Sequence, residues 1–209
     1  SGLVGSEMCI RDSAYMGLSP GLDFETRLFA KEGADQLLER ELAAPGYQPR
    51  MIAIGTNTDP YQPIERERKI MRRLLQILSE ARHPVGIVTK SALVLRDLDL
   101  LAPMAQQGLA KVALSVTTLD SVLARRMEPR ASTPPKRLEA IRHLVQAGVP
   151  AMVMAAPMIP ALNDHELEQI LEKAAAAGAT EAGYILLRLP LELRDLFREW
   201  LLEHYPGKL

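Results

Sequence analysis

Ile52-Ala53-Ile54-Gly55-Thr56-Asn57-Thr58-Asp59 is a short β-branched run that breaks off through a glycine into four small polar residues. An apolar run of this length reads as a buried strand, and the polar cluster marks its carboxyl end. Four further runs end in the same way: Val85 to Val88 into Thr89-Lys90-Ser91, Val112 to Leu114 into Ser115-Val116-Thr117-Thr118, Ala151 to Met154 into Pro157, and Tyr184 to Leu187 into Arg188. The stretches between them have helical periodicity, so the chain reads strand, helix, strand, helix. This alternation predicts an α/β fold, because crossover helices force the strands parallel and gather their carboxyl ends on one face. In barrel-like folds that face binds ligands, which makes the polar clusters the main functional evidence.

Composition fits one such domain, since 209 residues at 47% hydrophobic content can fill one sizeable core. With 25 basic and 26 acidic residues, a net charge of -1 supplies no long-range field to attract nucleic acid or an anionic membrane. No apolar stretch approaches the roughly 18 to 20 residues that span a bilayer, and no start resembles a secretion signal, so the expected location is the cytoplasm. His83, His143, His165 and His204 lie far apart, which argues against a histidine metal site. The single cysteine, Cys9, can form no internal disulfide and alone holds no metal cluster. A glycine-rich phosphate loop, a G-x-S-x-G elbow and an H-E-x-x-H motif are all missing from the sequence.

Between the runs, the spacing predicts a short strand over Phe24 to Lys31, a helix from about Gly33 to Ala43 with Leu37, Leu38 and Leu42 on one stripe, and one long helix carrying Ile64, Met71, Leu74, Leu75 and Leu78. Arg66, Arg68, Lys69, Arg72 and Arg73 on that helix are interleaved with Glu65 and Glu67 and read as a solvated face rather than a phosphate site. Helices are predicted near Leu98 to Gln107 and from Pro134 to Ala147, with Gly108 and Gly148 as stops. Another begins at Asn163 with Glu166 in capping-box position, and a last one spaces Leu193, Leu196, Phe197, Trp200 and Leu201 for packing.

The loops carry the candidate chemistry. Thr56, Asn57, Thr58 and Asp59 suit an ammonium group or a ribose, or else Asp59 and Asn57 fix the turn. Lys90, directly after a buried strand, needs a partner: a ligand carboxylate, a Schiff base in an aldolase-like barrel, or a structural salt bridge. Ser115, Thr117 and Thr118 add hydroxyls to the same face. In the string MEPR, Arg130 suits a carboxylate clamp, and an ion pair with Glu128 is equally open.

The strings AYMGLSPGLDFETRLFAK, IAIGTNTDPYQPIER, IVTKSALVLRDLDLL, SVTTLD, MEPR, PMIPALNDHE and AGYILLRLP resemble the radical S-adenosylmethionine proteins, in the bacterial branch similar to spore photoproduct lyase. The resemblance runs from Ala14 to the end. It implies a partial (β/α) TIM-like barrel that holds S-adenosylmethionine against a 4Fe-4S cluster, where one-electron reduction yields a 5′-deoxyadenosyl radical for hydrogen abstraction from an unidentified substrate. An electron donor such as flavodoxin or ferredoxin is implied with it. Residue by residue, it places Thr56, Asn57 and Asp59 at the methionine ammonium, Lys90 with Ser91 at the carboxylate, and Ser115 and Thr117 at the ribose. Arg130 would join the carboxylate clamp, and Ala155 to Pro157 with Leu187, Arg188 and Leu189 would line the adenine. A DNA repair substrate does not transfer with the fold. The rival readings are a barrel lyase using Lys90 and a nucleotide-binding barrel without catalysis.

One departure is serious, because the family holds its cluster with three cysteines near the amino end. Leu3 to Ser13, LVGSEMCIRDS, has no strand or helix period and resembles the translation of a transposon adaptor used in sequencing-library preparation. The expectation is that residues 1-13 are a non-native, disordered tail, with a flexible native terminus as the alternative. Residues 14-209 would then be a truncated partial barrel lacking its first strand and its cluster ligands, and inactive as written.

Overall fold

In a computed structural model of the chain, the described residues are 30–189 and 191–208. The strand expected over Phe24 to Lys31 and the whole adaptor-like head therefore lie outside the described residues, apart from Ala30 and Lys31, which take no regular structure. Helix α1 (Ala34–Leu42) leads to β1 (Ile52–Ile54), followed by α2 (Glu65–Arg68), α3 (Ile70–Glu80) and β2 (Val85–Thr89). A 3₁₀ stretch (Ala92–Asp97) runs into α4 (Leu98–Gln106), then β3 (Ala110–Ser115), α5 (Ser121–Met127), α6 (Pro134–Gln146) and β4 (Ala151–Met158). The chain continues through a second 3₁₀ turn (Asp164–Glu166), α7 (Leu167–Ala176), β5 (Glu181–Leu186) and α8 (Leu191–His204).

The strands form one sheet in the order β1-β2-β3-β4-β5, and every pairing is parallel. Sequential order has a mechanical consequence. Right-handed crossovers that all advance the same way deposit their helices on the same face, as in a barrel, and leave the opposite face open. Burial alternates accordingly: Val85, Ile87 and Thr89 of β2 are buried while Gly86 and Val88 between them are half-exposed, and β4 repeats the pattern. The covered face is filled by Leu75, Leu78, Leu101, Met104, Ile141, Leu144 and Ile170 from α3, α4, α6 and α7.

Several boundaries differ from the predicted ones for identifiable reasons. The long helix expected through Ile64 to Leu78 is broken at Lys69, which has φ 49° and separates α2 from α3. The Glu65 carboxylate bends back to accept from the Ile70 and Met71 amides at 2.9 and 3.0 Å, so a side chain caps α3 where continuous helix was expected. No capping box forms at Asn163. Its amide lies fully buried, taking the Ile159 N–H at 2.6 Å and donating to the carbonyls of Thr117 and Pro157, while Glu166 accepts from the Leu119 amide instead. Of the run from Tyr184 to Leu187, the first three residues end β5 and are exposed, Tyr184 by 62% and Leu186 by 56%, while Leu187 lies beyond the strand and packs half-buried against a second apolar cluster. Leu37, expected on the packed stripe of α1, is also exposed, whereas Leu38 and Leu42 reach the core.

Trp200 packs as expected. It stacks on Phe197 at 5.9 Å and, with Leu123, Met127, Ile159 and Leu162, forms a second apolar cluster that seats α8 against α5 and the exit of β4. Among the described residues no helix is long and apolar enough to cross a membrane.

Candidate functional site

The site forms where parallel strands expose their carboxyl ends. After β1 the backbone turns at Gly55, with φ 96°, and a Cβ there would stand 1.9 Å from the Val88 carbonyl oxygen. Only glycine allows the loop Thr56-Asn57-Thr58 to pass this close to β2. Those three residues are exposed. Asp59 turns inward: one carboxylate oxygen accepts from the Tyr61 amide at 2.8 Å and the Thr89 hydroxyl at 2.7 Å, and the other accepts from the Lys90 amide at 2.7 Å. Asp59 thus pins the first loop to the end of β2, which is the turn-fixing role among the two open for it. Ser91 caps the following 3₁₀ stretch by accepting from the Leu93 amide at 3.2 Å.

From this anchored backbone, the Lys90 ammonium reaches Glu128 Oε1 at 2.7 Å. Glu128 sits at the end of α5, and its second oxygen is 2.5 Å from Arg137 Nη2. Arg137 rises from the inward stripe of α6, where it also donates to the carbonyls of Ser115 at 2.8 Å and Ser132 at 2.6 Å. Ser115 and Thr117 donate toward the Ala156 carbonyl at 3.2 and 3.0 Å, and the Thr117 hydroxyl stands 3.1 Å from Glu128. One polar network therefore joins the ends of β2, β3 and β4.

Burial pushes the Glu128 carboxyl up, but the Lys90 and Arg137 charges and their hydrogen bonds outweigh it and hold the group at about 2. Glu128 is accordingly an anion at any ordinary pH. Lys90 remains 22% exposed on its side chain, while those of Glu128 and Arg137 are 4% and 2% exposed. A lysine set among Glu128, Arg137 and the Thr117 hydroxyl lacks the apolar pocket that Schiff-base chemistry uses.

Of the residues singled out from sequence, Asp59, Lys90, Ser115 and Thr117 are brought into one connected set through Glu128 and Arg137. Pro157 is buried within β4, whereas Arg130 and Arg188 are exposed. Sequence reasoning missed Arg137. The available signal was an arginine on the same stripe as Ala140, Ile141 and Leu144, where a buried cation has to find an anion. It also missed Asn163, whose buried amide ties the β3 exit to the end of β4.

The donor set fits S-adenosylmethionine, a ligand with a carboxylate, an ammonium and a ribose, because an accessible ammonium, exposed hydroxyls and an amide share one strand-end face. It does not fit an iron–sulfur cluster. Three thiolates are required, the sequence has one cysteine, and among the described residues no group of three potential metal ligands occurs.

The Radical SAM superfamily model matches residues 25–174. This chain belongs to the radical SAM superfamily. It is 38% identical over 194 residues to protein Mb2609c of Mycobacterium bovis, covering 92% of this chain and 57% of that protein. Protein ORF301 of Acidianus two-tailed virus is 32% identical over 143 residues, covering 63% of this chain and 44% of that protein. The chain thus spans 57% and 44% of the lengths of these two curated relatives. Among solved structures, a spore photoproduct lyase variant with bound AdoMet and dinucleoside spore photoproduct superposes with a TM-score of 0.61 at 14% identity, covering 94% of this chain and 56% of that one. Streptococcus suis SuiB bound to S-adenosylmethionine gives 0.56 at 14% identity, covering 87% and 43%. These likenesses establish a radical SAM partial-barrel fold with a five-stranded parallel sheet.

Proposed function

We propose that this chain is the S-adenosylmethionine-binding part of a radical SAM enzyme of the spore photoproduct lyase-like branch, with the cofactor seated at the carboxyl ends of β1 to β4. The observation that carries the reading is the Lys90 ammonium, held at the mouth of β2 by a buried carboxylate within a family-matched sheet. Lys90 and Ser91 would take the methionine carboxylate, Thr56 and Asn57 the ammonium, and Ser115 and Thr117 the ribose, with Asp59 fixing the loop that presents them. Pro157 and Arg188 would border the adenine, and Arg130 would add a second cation near the carboxylate. When bound beside a reduced cluster, S-adenosylmethionine supplies hydrogen abstraction, so this scaffold's own work is binding and orientation.

Residues 14–209 would form one truncated partial barrel, preceded by the adaptor-like head. With one cysteine in 209 residues, the polypeptide as written would bind the cofactor without assembling a four-iron cluster. The longer protein would be the catalyst, acting in the cytoplasm with a flavodoxin- or ferredoxin-like electron donor on an unidentified substrate. Calorimetry with S-adenosylmethionine tests the binding part, with saturable heat expected from the wild-type chain and its absence overturning the reading. Anaerobic reconstitution with iron and sulfide tests the rest, since a four-iron absorbance band would refute the claim that the cluster does not assemble.

A further inference from the structure

Helix α8 is packed unlike α3, α4, α6 and α7, since none of its described residues enters the main core that those helices fill. It leaves Tyr184, Ile185 and Leu186 of β5 exposed. Its seat is the second apolar cluster, where Phe197 and Trp200 pack with Leu123 and Met127 of α5 and with Ile159 and Leu162 beyond the end of β4. Polar contacts close the same seat: Trp200 Nε1 donates to the Arg126 carbonyl at 3.4 Å, and Arg126 Nη1 donates to the His204 carbonyl at 3.3 Å, with its guanidinium 5.1 Å from the Tyr205 ring centre. Among the described residues the two apolar clusters share no member. A helix held by a small core of its own opens at a lower free energy than the sheet, because local openings follow the contacts an element makes.

The seat is continuous with the loops that leave β3 and β4. The turn under α8 ends in Asn163, whose buried side chain accepts from the Ile159 amide at 2.6 Å and donates to the Thr117 carbonyl at 2.8 Å. Glu166, just beyond it, accepts from the Thr118 hydroxyl and the Leu119 amide. On the other wall, Met127 is followed directly by Glu128, the carboxylate that Lys90 and Arg137 share. We propose that α8 is a latch: docked, it orders the exits of β3 and β4, and released, it frees both while the five-stranded sheet stays folded. This inference rests on contacts within the chain and stands apart from the cofactor reading.

The test is urea unfolding of the full chain followed by two probes. Trp200 is the single tryptophan, so its emission reports the seat, while far-ultraviolet circular dichroism reports chiefly the other helices and the sheet. The Trp200 transition is expected first, with the two midpoints about 1 M apart. Phe197→Ala is expected to lower the emission midpoint alone, and Ile141→Val, in the main core, the dichroism midpoint alone. Hydrogen exchange at a urea concentration between the midpoints reads the loops: segments 117–128 and 159–166 are expected to lose protection by at least about tenfold while β2 and β3 keep theirs. Coincident transitions in the wild type, or two probes that move together in either variant, overturn the inference. So do loops that stay protected after the Trp200 transition, and a Phe197→Ala chain that has lost the dichroism of the sheet.

Discussion

Among the described residues, two ionic clusters are built on buried carboxylates, and they are placed differently. Between α2, α3 and the 3₁₀ stretch, Asp97 accepts from the Tyr61 hydroxyl at 3.0 Å, Arg72 at 3.0 Å and Arg96 at 2.8 and 2.9 Å, while Glu65 accepts from Arg96 and caps α3. Every carboxylate oxygen there is committed to a donor within the protein, and burial together with Asp97 pushes the Tyr61 hydroxyl well up from its ordinary value. The Lys90–Glu128–Arg137 set has the same exposure pattern, with Lys90 22% exposed against 27% for Arg72 and 21% for Arg96, but it joins the ends of β2 and β3 rather than the start of a helix. The first cluster ties a helix start to the segment after β2; the second ties together the strand ends that carry the candidate site.

The largest effect that would sharpen this contrast belongs to Asp97→Ala, which removes the shared acceptor of three donors at once. A loss of about 3–5 kcal/mol is expected in urea unfolding, with S-adenosylmethionine affinity unchanged in the folded fraction. An affinity change there would break the distinction between the clusters. Gly55→Ala comes next: the new Cβ meets the Val88 carbonyl and the residue keeps a left-handed φ, so a cost above about 2 kcal/mol is expected in the same measurement.

Lys90→Met should cost less, about 1–2 kcal/mol, because Arg137 still satisfies Glu128. It should nevertheless abolish the preference for S-adenosylmethionine over its decarboxylated form. Acid unfolding separates the clusters further. The Glu128 carboxyl is depressed in the folded chain from 4.5 to about 2, so its contribution is complete above the higher value and is lost as pH falls toward the lower one. Glu128→Gln should flatten the stability profile across that window and leave its slope above it unchanged. The smallest effect is expected from Leu186→Lys on the exposed face of β5, within about 0.5 kcal/mol, with less light scattering at high concentration.

The strand runs, their parallel direction and the gathering of their carboxyl ends were legible because apolar β runs and helical stripes have different periods. Lys90 stood out because a charge beside a buried run demands a partner. Which partner it takes was not legible, since Glu128 lies 38 positions away and reaches it through α5, and MEPR offered Arg130 as the nearer cation. Arg137 was hidden by a helix that otherwise reads as amphipathic. The break at Lys69 was hidden too, because Ile64, Met71 and Leu75 keep helical spacing across it while a carboxylate six positions upstream of Met71 supplies the cap. The exposure of β5 could not be read from composition, because Tyr184 to Leu187 is as apolar as the buried runs and only three-dimensional neighbours distinguish them.

The same Glu65 carboxylate that starts α3 also receives Arg96 from the 3₁₀ stretch after β2, so the first turn of that helix and the segment leaving β2 share one fastener. The amide protons of Ile70 and Met71 thereby become local clocks. Their exchange with deuterated solvent should report whenever the segment that follows Lys90 lets go.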